Sequence, residues 1–176
     1  MASLEMLGRL CAGASNLQGF GGGGAAVLLR SELAGLLAGL SDVQFDFAAA
    51  KYMADQSAEH RLTLKVWQSG IDGVSAAERS AYLGMVSLVV VELVRPNRCG
   101  RCNGRGFVAG QMCTVCSGTG FKRFSGRFLA ESLGVDQCRY RRVWRGRYED
   151  CYQSVVALDG EVRLALFNAD RESVAA

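Results

Sequence analysis

Cys99-Gly100-Arg101-Cys102-Asn103-Gly104-Arg105-Gly106-Phe107 is echoed fourteen residues later by Cys113-Thr114-Val115-Cys116-Ser117-Gly118-Thr119-Gly120-Phe121. Both stretches read CxxCxGxG followed by phenylalanine. Two residues between cysteines let both thiolates of a pair reach one tetrahedral ion from a tight turn. The glycines permit a left-handed backbone after the second ligand, where N–H groups can point at sulfur. Two such pairs predict one structural zinc ion held by Cys99, Cys102, Cys113 and Cys116. Four thiolates close the coordination shell and leave no position for a reacting water, so zinc hydrolysis is not expected. A redox dithiol would sit at a helix N-terminus and would have no need of duplication.

Beyond the cysteines, charge is unevenly spread along the chain. Residues 1–94 carry six Lys/Arg against nine Asp/Glu. Residues 95–147 carry twelve basic side chains against only Glu131 and Asp136, and residues 148–176 are acidic again. The basic charge is therefore concentrated around and just behind the cysteine pairs, the pattern of a nucleic-acid footprint. The other three cysteines, Cys11, Cys138 and Cys151, are scattered and are expected to be small buried hydrophobes in a reducing compartment. His60, the single histidine, lies far from the cysteines and is expected to be structural or at the surface.

About half the 176 residues are hydrophobic, enough for a real core, and the lone proline and scarce strand alternation favour helices. A short helix is expected at residues 4–11, followed by a flexible linker in the glycine run 19–24. That run is no dinucleotide loop, since no strand precedes it. Leu29, Leu33, Leu36, Leu37 and Leu40 mark an amphipathic helix over residues 25–40. Ser41 or Asp42 can cap the next helix, through Phe45, Ala49, Tyr52 and Met53, with a break near Ser57 and a further helical segment from His60 to Trp67. Gly70 to Gly73 closes that segment. Ser75-Ala76-Ala77-Glu78 has the form of a capping box, opening an apolar helix that runs to about Val94 and forms the centre of the core. Arg95-Pro96 stops it. The apolar run 81–94 is shorter than a bilayer span and contains Glu92, so no transmembrane helix is expected. The N-terminus lacks a secretory pattern, and the expected location is the cytoplasm.

Residues 126–145, GRFLAESLGVDQCRYRRVWR, fit a helix-turn-helix. Ala130 sits where two helices touch and Gly134 at the turn. Leu129, Leu133, Val135, Tyr140 and Val143 take the apolar positions, and Asp136 or Gln137 opens the second helix. Gln137, Arg141, Arg142 and Arg145 would form its outward face and enter a major groove. Lys122, Arg123, Arg127 and Arg139 add basic groups around it. A plain helical hairpin with a solvated arginine face is the simpler alternative. The expected architecture is mainly α, a helical body with an inserted four-cysteine zinc hairpin and a helix-turn-helix. Its parts are an N-terminal segment with linker (1–24), the helical body (25–94), the zinc hairpin (95–124), the helix-turn-helix (125–147) and a C-terminal segment packing on the body (148–176).

Zinc hairpin, acidic helical body before it and basic helix-turn-helix after it together resemble the late-gene antitermination protein Q family of lambdoid phages. The resemblance rests on the two cysteine pairs with their CxGxG glycines, on Phe121-Lys122-Arg123, and on the order of parts from about Asp42 to Leu158. The first 40 and last 18 residues carry no matching motif, and the ten residues between the pairs imply a smaller hairpin tip. The resemblance implies a non-enzymatic transcription antiterminator in a bacterial host. Such proteins bind double-stranded DNA at a phage late promoter and engage paused RNA polymerase through its β-flap and sigma factor. They then carry the polymerase through terminators, with nascent RNA a further contact left open. Their mechanism is linkage, tighter binding to the terminator-resistant polymerase than to the terminable one. The CxxCxGxG repeat also marks J-domain co-chaperones, but those have four repeats and an HPD tripeptide; here there are two repeats, and His60 is followed by Arg61-Leu62. Two other readings stand beside this one. A helix-turn-helix repressor should show a dimerisation element and a ligand or cleavage domain, which are not evident, and an RNA-binding zinc protein would stack Phe107, Phe121 and Phe124 on bases.

Overall fold

Ser41 caps the first helix with its backbone N–H on the Gln44 Oε1 atom (3.0 Å), and that helix, α1, follows as Asp42–Met53. The structure is a computed structural model that describes residue 37 and residues 39–175, with side chains through residue 169. The expected helix at 4–11, the glycine linker and nearly all of the helix at 25–40 lie outside the described residues. After α1 come α2 (Gln56–Gly70), a 3-10 turn (Ala76–Glu78) and α3 (Arg79–Val94). Two short antiparallel strands follow, β1 (Phe107–Val108) and β2 (Gln111–Met112), with Phe107 opposite Met112. The chain ends in α4 (Gly126–Ser132), α5 (Gln137–Arg139), a π-helical turn (Tyr140–Trp144) and α6 (Arg145–Ala175). The expectation of a mainly helical protein with a small cysteine-bearing hairpin is met at that level.

These residues form two compact units, one of residues up to Lys65 together with those from Ser154 onward, the other Val66–Gln153. In the first, α1 buries Phe47, Ala48, Ala49, Ala50 and Tyr52, while Ala58, Leu62, Val155, Val162 and Leu166 supply the facing apolar surface. Three alanines in succession allow close approach from several sides. Asp46 is almost fully buried and is held by Arg61 (2.8 Å) and Lys65 (2.7 Å). A buried carboxylate is tolerable only with such partners. Lys51 pairs with Asp159 (2.8 Å), and Gln44 donates to Glu161 (3.0 Å).

The break after α1 lies three residues before Ser57. Ala54 takes the left-handed conformation (φ 55°) that ends the helix, and Asp55 Oδ1 accepts from the N–H groups of Ser57 (2.8 Å) and Ala58 (3.1 Å). Asp55 is thus the cap of α2. α2 closes at Gly70, where a Cβ would collide with the Tyr82 hydroxyl.

In the second unit α3 is the buried centre, as its apolar run implied, with Met85, Val86, Val89 and Val90 fully buried. Around it lie Leu129, Ala130, Tyr140, Trp144, Tyr148 and Cys151, all buried. The Ser75–Glu78 capping box does not form. The Ser75 hydroxyl instead donates to the Glu78 carboxylate (3.1 Å), which also accepts from Arg139 (3.3 Å) and Arg147 (3.2 Å). Two guanidiniums outcompete a backbone N–H for one carboxylate. The Arg147 contact foremost, with Ser75 and Arg139, holds the Glu78 carboxyl below the usual carboxylate range.

Candidate metal centre and basic face

Each CxGxG segment turns sharply after its second cysteine because consecutive residues adopt positive φ. Asn103, Gly104 and Gly106 stand at 55°, 85° and 77°, and Ser117, Gly118 and Gly120 at 51°, 84° and 80°. These turns aim the Gly106 N–H at Cys102 Sγ and the Gly120 N–H at Cys116 Sγ, both at 3.3 Å. The Cys99 N–H donates to the Gly120 carbonyl (2.9 Å) and the Cys113 N–H to the Gly106 carbonyl (2.8 Å), so each repeat completes the other. The fourteen-residue echo in sequence becomes a local two-fold relation between two knuckles.

All four sulfur atoms lie within 4.8 Å of one another and all four side chains are buried. Cys99 Sγ is 3.8 Å from Cys113 Sγ, and Cys102 Sγ is 3.7 Å from Cys116 Sγ. A tetrahedron with Zn–S bonds of about 2.3 Å has S···S edges of about 3.8 Å. The same spacing is far from the roughly 2.0 Å of a disulfide. The four thiols therefore fit a metal ion such as zinc. The N–H groups of Cys116 and Val115 pull the Cys113 thiol down to about 7. Against the cost of its burial, the Gly106 N–H and the neighbouring thiols hold Cys102 below its ordinary value, whereas burial pushes Cys116 up. A bound metal ion would hold all four as thiolates.

The knuckles close on the rest of the unit through the Arg98–Phe121 bridge and the Lys122 N–H on the Asn97 carbonyl (2.8 Å). The next residues meet Glu92. This carboxylate, 3% exposed, accepts from the Phe124 N–H (3.1 Å) and the Tyr148 hydroxyl and lies 3.7 Å from Arg123 Nε. Burial and the Glu92 carboxylate push the Tyr148 phenol up. The Arg123 guanidinium lies 3.8 Å from the centre of the Tyr152 ring and pairs with Glu149 (3.1 Å). In sequence Glu92 was visible only as an interruption of an apolar run, and its partners lie 31 to 56 residues away in a region of no distinctive spacing.

Behind the knuckles, α4 and the following helix are joined by residues 133–136. Gly134 is left-handed (φ 64°), and Asp136 caps the next helix with Oδ1 on the Arg139 N–H (2.9 Å). That helix does not stop near Arg145: the π turn passes directly into the 31 residues of α6. Gln137, Arg139, Arg141, Arg142 and Arg145 are all exposed. Of the expected basic contacts, Arg123 is paired with Glu149, Arg127 with Glu131 (2.9 Å) and Arg139 with Glu78 (3.3 Å). Arg141, Arg142 and Arg145 form no ion pair among the described residues, and Lys122 is exposed. Cys138 shares the exposed side, contrary to the expectation of a buried thiol, because Tyr140 and Trp144 take the inward positions; Cys151 is buried. His60 is exposed. In the knuckles, Phe107 and Phe121 are exposed together with Met112 and Val115, whereas Phe124 is half-buried and stacks on Phe128 (4.8 Å between ring centres).

Among the described residues no helix is long and apolar enough to cross a membrane. No family model, curated protein or solved structure matches the chain.

Proposed function

We propose that this chain is a non-enzymatic, zinc-braced DNA-binding protein that acts as a transcription antiterminator. The observation that carries the DNA-binding part is the exposed row of Gln137, Arg141, Arg142 and Arg145, whose three arginines have no ion-pair partner among the described residues. Unpaired guanidiniums on one helix suit phosphate oxygens and guanine edges. The zinc bound by Cys99, Cys102, Cys113 and Cys116 would hold the knuckles, and with them Lys122 and Arg123, at the base of that surface. The resemblance to the lambdoid Q family supplies the rest of the reading: loading at a late promoter onto paused polymerase, contacts to the β-flap and sigma factor, and read-through of terminators. Acidic residues predominate in the stretch 1–94, which makes that part a poorer surface for phosphates and a better one for a protein partner.

A gel shift on late-promoter DNA across a salt series tests binding, and transcription across a terminator with and without the protein tests the activity. Binding should weaken steeply with salt, as phosphate neutralisation demands. A protein that shifts DNA but leaves termination unchanged is a repressor or other regulator; one that prefers single-stranded RNA is neither.

A further inference from the structure

The second unit contains a cavity of about 550 Å³ between the chain leaving the knuckles, α4 and the helix that follows it. Arg123 and Phe124 line one side, Gly126, Arg127 and Leu129 another, and Gln137, Tyr140, Arg141, Arg145, Tyr148 and Glu149 the third. Four guanidiniums thus face one space with a single carboxylate. That carboxylate is engaged, since Glu149 takes Arg123 and the Gln153 amide (2.9 Å). Arg127 is held only by the largely solvated Glu131, a pair that contributes little. Arg141 and Arg145 have no ion-pair partner among the described residues. Glu149 also lies close enough to Arg145 to feel its charge, so four guanidiniums share few carboxylates and the cavity keeps an excess of positive charge.

The π turn points to the same place. A regular helix drifts about 40° around its axis for every four residues, so Gln137, Arg141, Arg145 and Glu149 would fan out over about 120°. In the π turn the Arg145 N–H reaches the Tyr140 carbonyl, five residues back, and the widened turn takes up part of that drift. All four residues consequently line the cavity. Such turns are rare, and they recur at functional sites.

We propose that this cavity binds a nucleoside phosphate unit, its phosphate on Arg141 and Arg145 and its flat base toward the half-buried ring of Phe124. Two planar forks match phosphate oxygens in pairs, and the half-buried Phe124 ring suits a base where a bare phosphate would gain nothing from it. The cleft is open to solvent and has room for more than a lone phosphate. The inference stands on the cavity and the π turn and does not require the duplex reading above. The unit can come from a free nucleotide or from an unpaired position in a strand.

Calorimetric titration of the full zinc-loaded chain with adenosine 5′-monophosphate, adenosine and inorganic phosphate, each alone, is the first arm. A fully paired duplex and the same duplex with one unpaired adenosine form the second. The nucleotide should bind one per chain and at least about tenfold more tightly than adenosine or phosphate, or the unpaired position should raise duplex affinity about tenfold. Either result supports the cavity, and which of the two occurs identifies the source. Arg141→Gln and Arg145→Gln should each weaken that binding about tenfold with an unchanged circular dichroism spectrum, whereas Arg79→Gln, outside the cavity, should not. Phosphate binding as tightly as the nucleotide overturns the proposal, as does no nucleotide binding together with equal affinity for the two duplexes. In that last case a bound paired duplex leaves the DNA-binding reading standing. Conversely, a bound nucleotide with no duplex binding removes that reading and keeps this one.

Discussion

Gly106 and Gly120 each place a Cβ position against the carbonyl oxygen of the opposite knuckle, of Gly118 and Gly104 respectively, and both have left-handed φ. Alanine at either position must therefore overcome backbone strain and a collision with backbone that cannot swing away. Gly104, at φ 85°, has only the Arg98 side chain nearby, at 3.8 Å, so alanine there meets strain alone, about 1 kcal/mol. Gly106→Ala and Gly120→Ala should markedly weaken metal retention in a competition with a chelating dye, and Gly104→Ala only slightly. The buried thiol of Cys151, pushed up to about 11 by its surroundings, should resist alkylation at neutral pH while exposed Cys138 reacts. Peptide mapping after brief iodoacetamide treatment checks this, and equal labelling of both would place Cys151 at the surface. The cysteine spacing and the glycine types were legible in sequence. Which glycines face a carbonyl was not, because the contact joins two turns fourteen residues apart.

Among the helices and turns, Glu92 links α3, the exit from the knuckles and α6. Its loss leaves the Tyr148 hydroxyl and the Phe124 N–H without an acceptor in a dry interior. Glu92→Ala should cost about 3 kcal/mol in chemical denaturation, and Glu92→Gln less, since the amide oxygen still accepts one of these bonds. Equal stability for the two variants would show that the carboxylate oxygens are not what holds these elements. Alkaline pH acts on the same helix. Burial raises Cys151, and burial with the Glu92 carboxylate raises Tyr148, so the folded chain holds these protons more tightly than the unfolded one. Stability from Cys151 is full below its ordinary value of 9.0 and is lost as pH rises toward about 11. The share is roughly 3 kcal/mol, and Cys151→Ala should remove that part of the slope.

For the chain as a whole, one zinc per molecule is expected by elemental analysis. Cys102→Ser or Cys116→Ser should lose it and open residues 95–125 to protease, since so short a hairpin buries too little apolar surface to stand alone. A folded, protease-resistant, metal-free chain would contradict this. The triple substitution Arg141/Arg142/Arg145→Ala should abolish promoter binding while leaving polymerase capture measurable in a pull-down with the β-flap. If capture is lost with DNA binding, the two surfaces are not separate.

Local features follow from short stretches of sequence. The cysteine spacing and glycine types set the knuckles, the apolar run sets α3, and Arg95-Pro96 sets its end. Gly134 and Asp136 set the turn behind the cysteine knuckles. Each depends on backbone preferences and side chains within a few residues of one another, and so is written contiguously. How charge is used was settled only by tertiary packing. Glu78 left its expected cap for Arg139 and Arg147, which lie 61 and 69 residues away, and Arg123 went to Glu92 and Glu149. Arg141, Arg142 and Arg145 form no ion pair among the described residues. The second helix runs on past Arg145 through a π turn, with Tyr140, Trp144 and Tyr148 buried beside α3. An arginine's pattern in sequence is the same whether it meets a carboxylate or solvent, and only the packing of distant elements brings a carboxylate within reach.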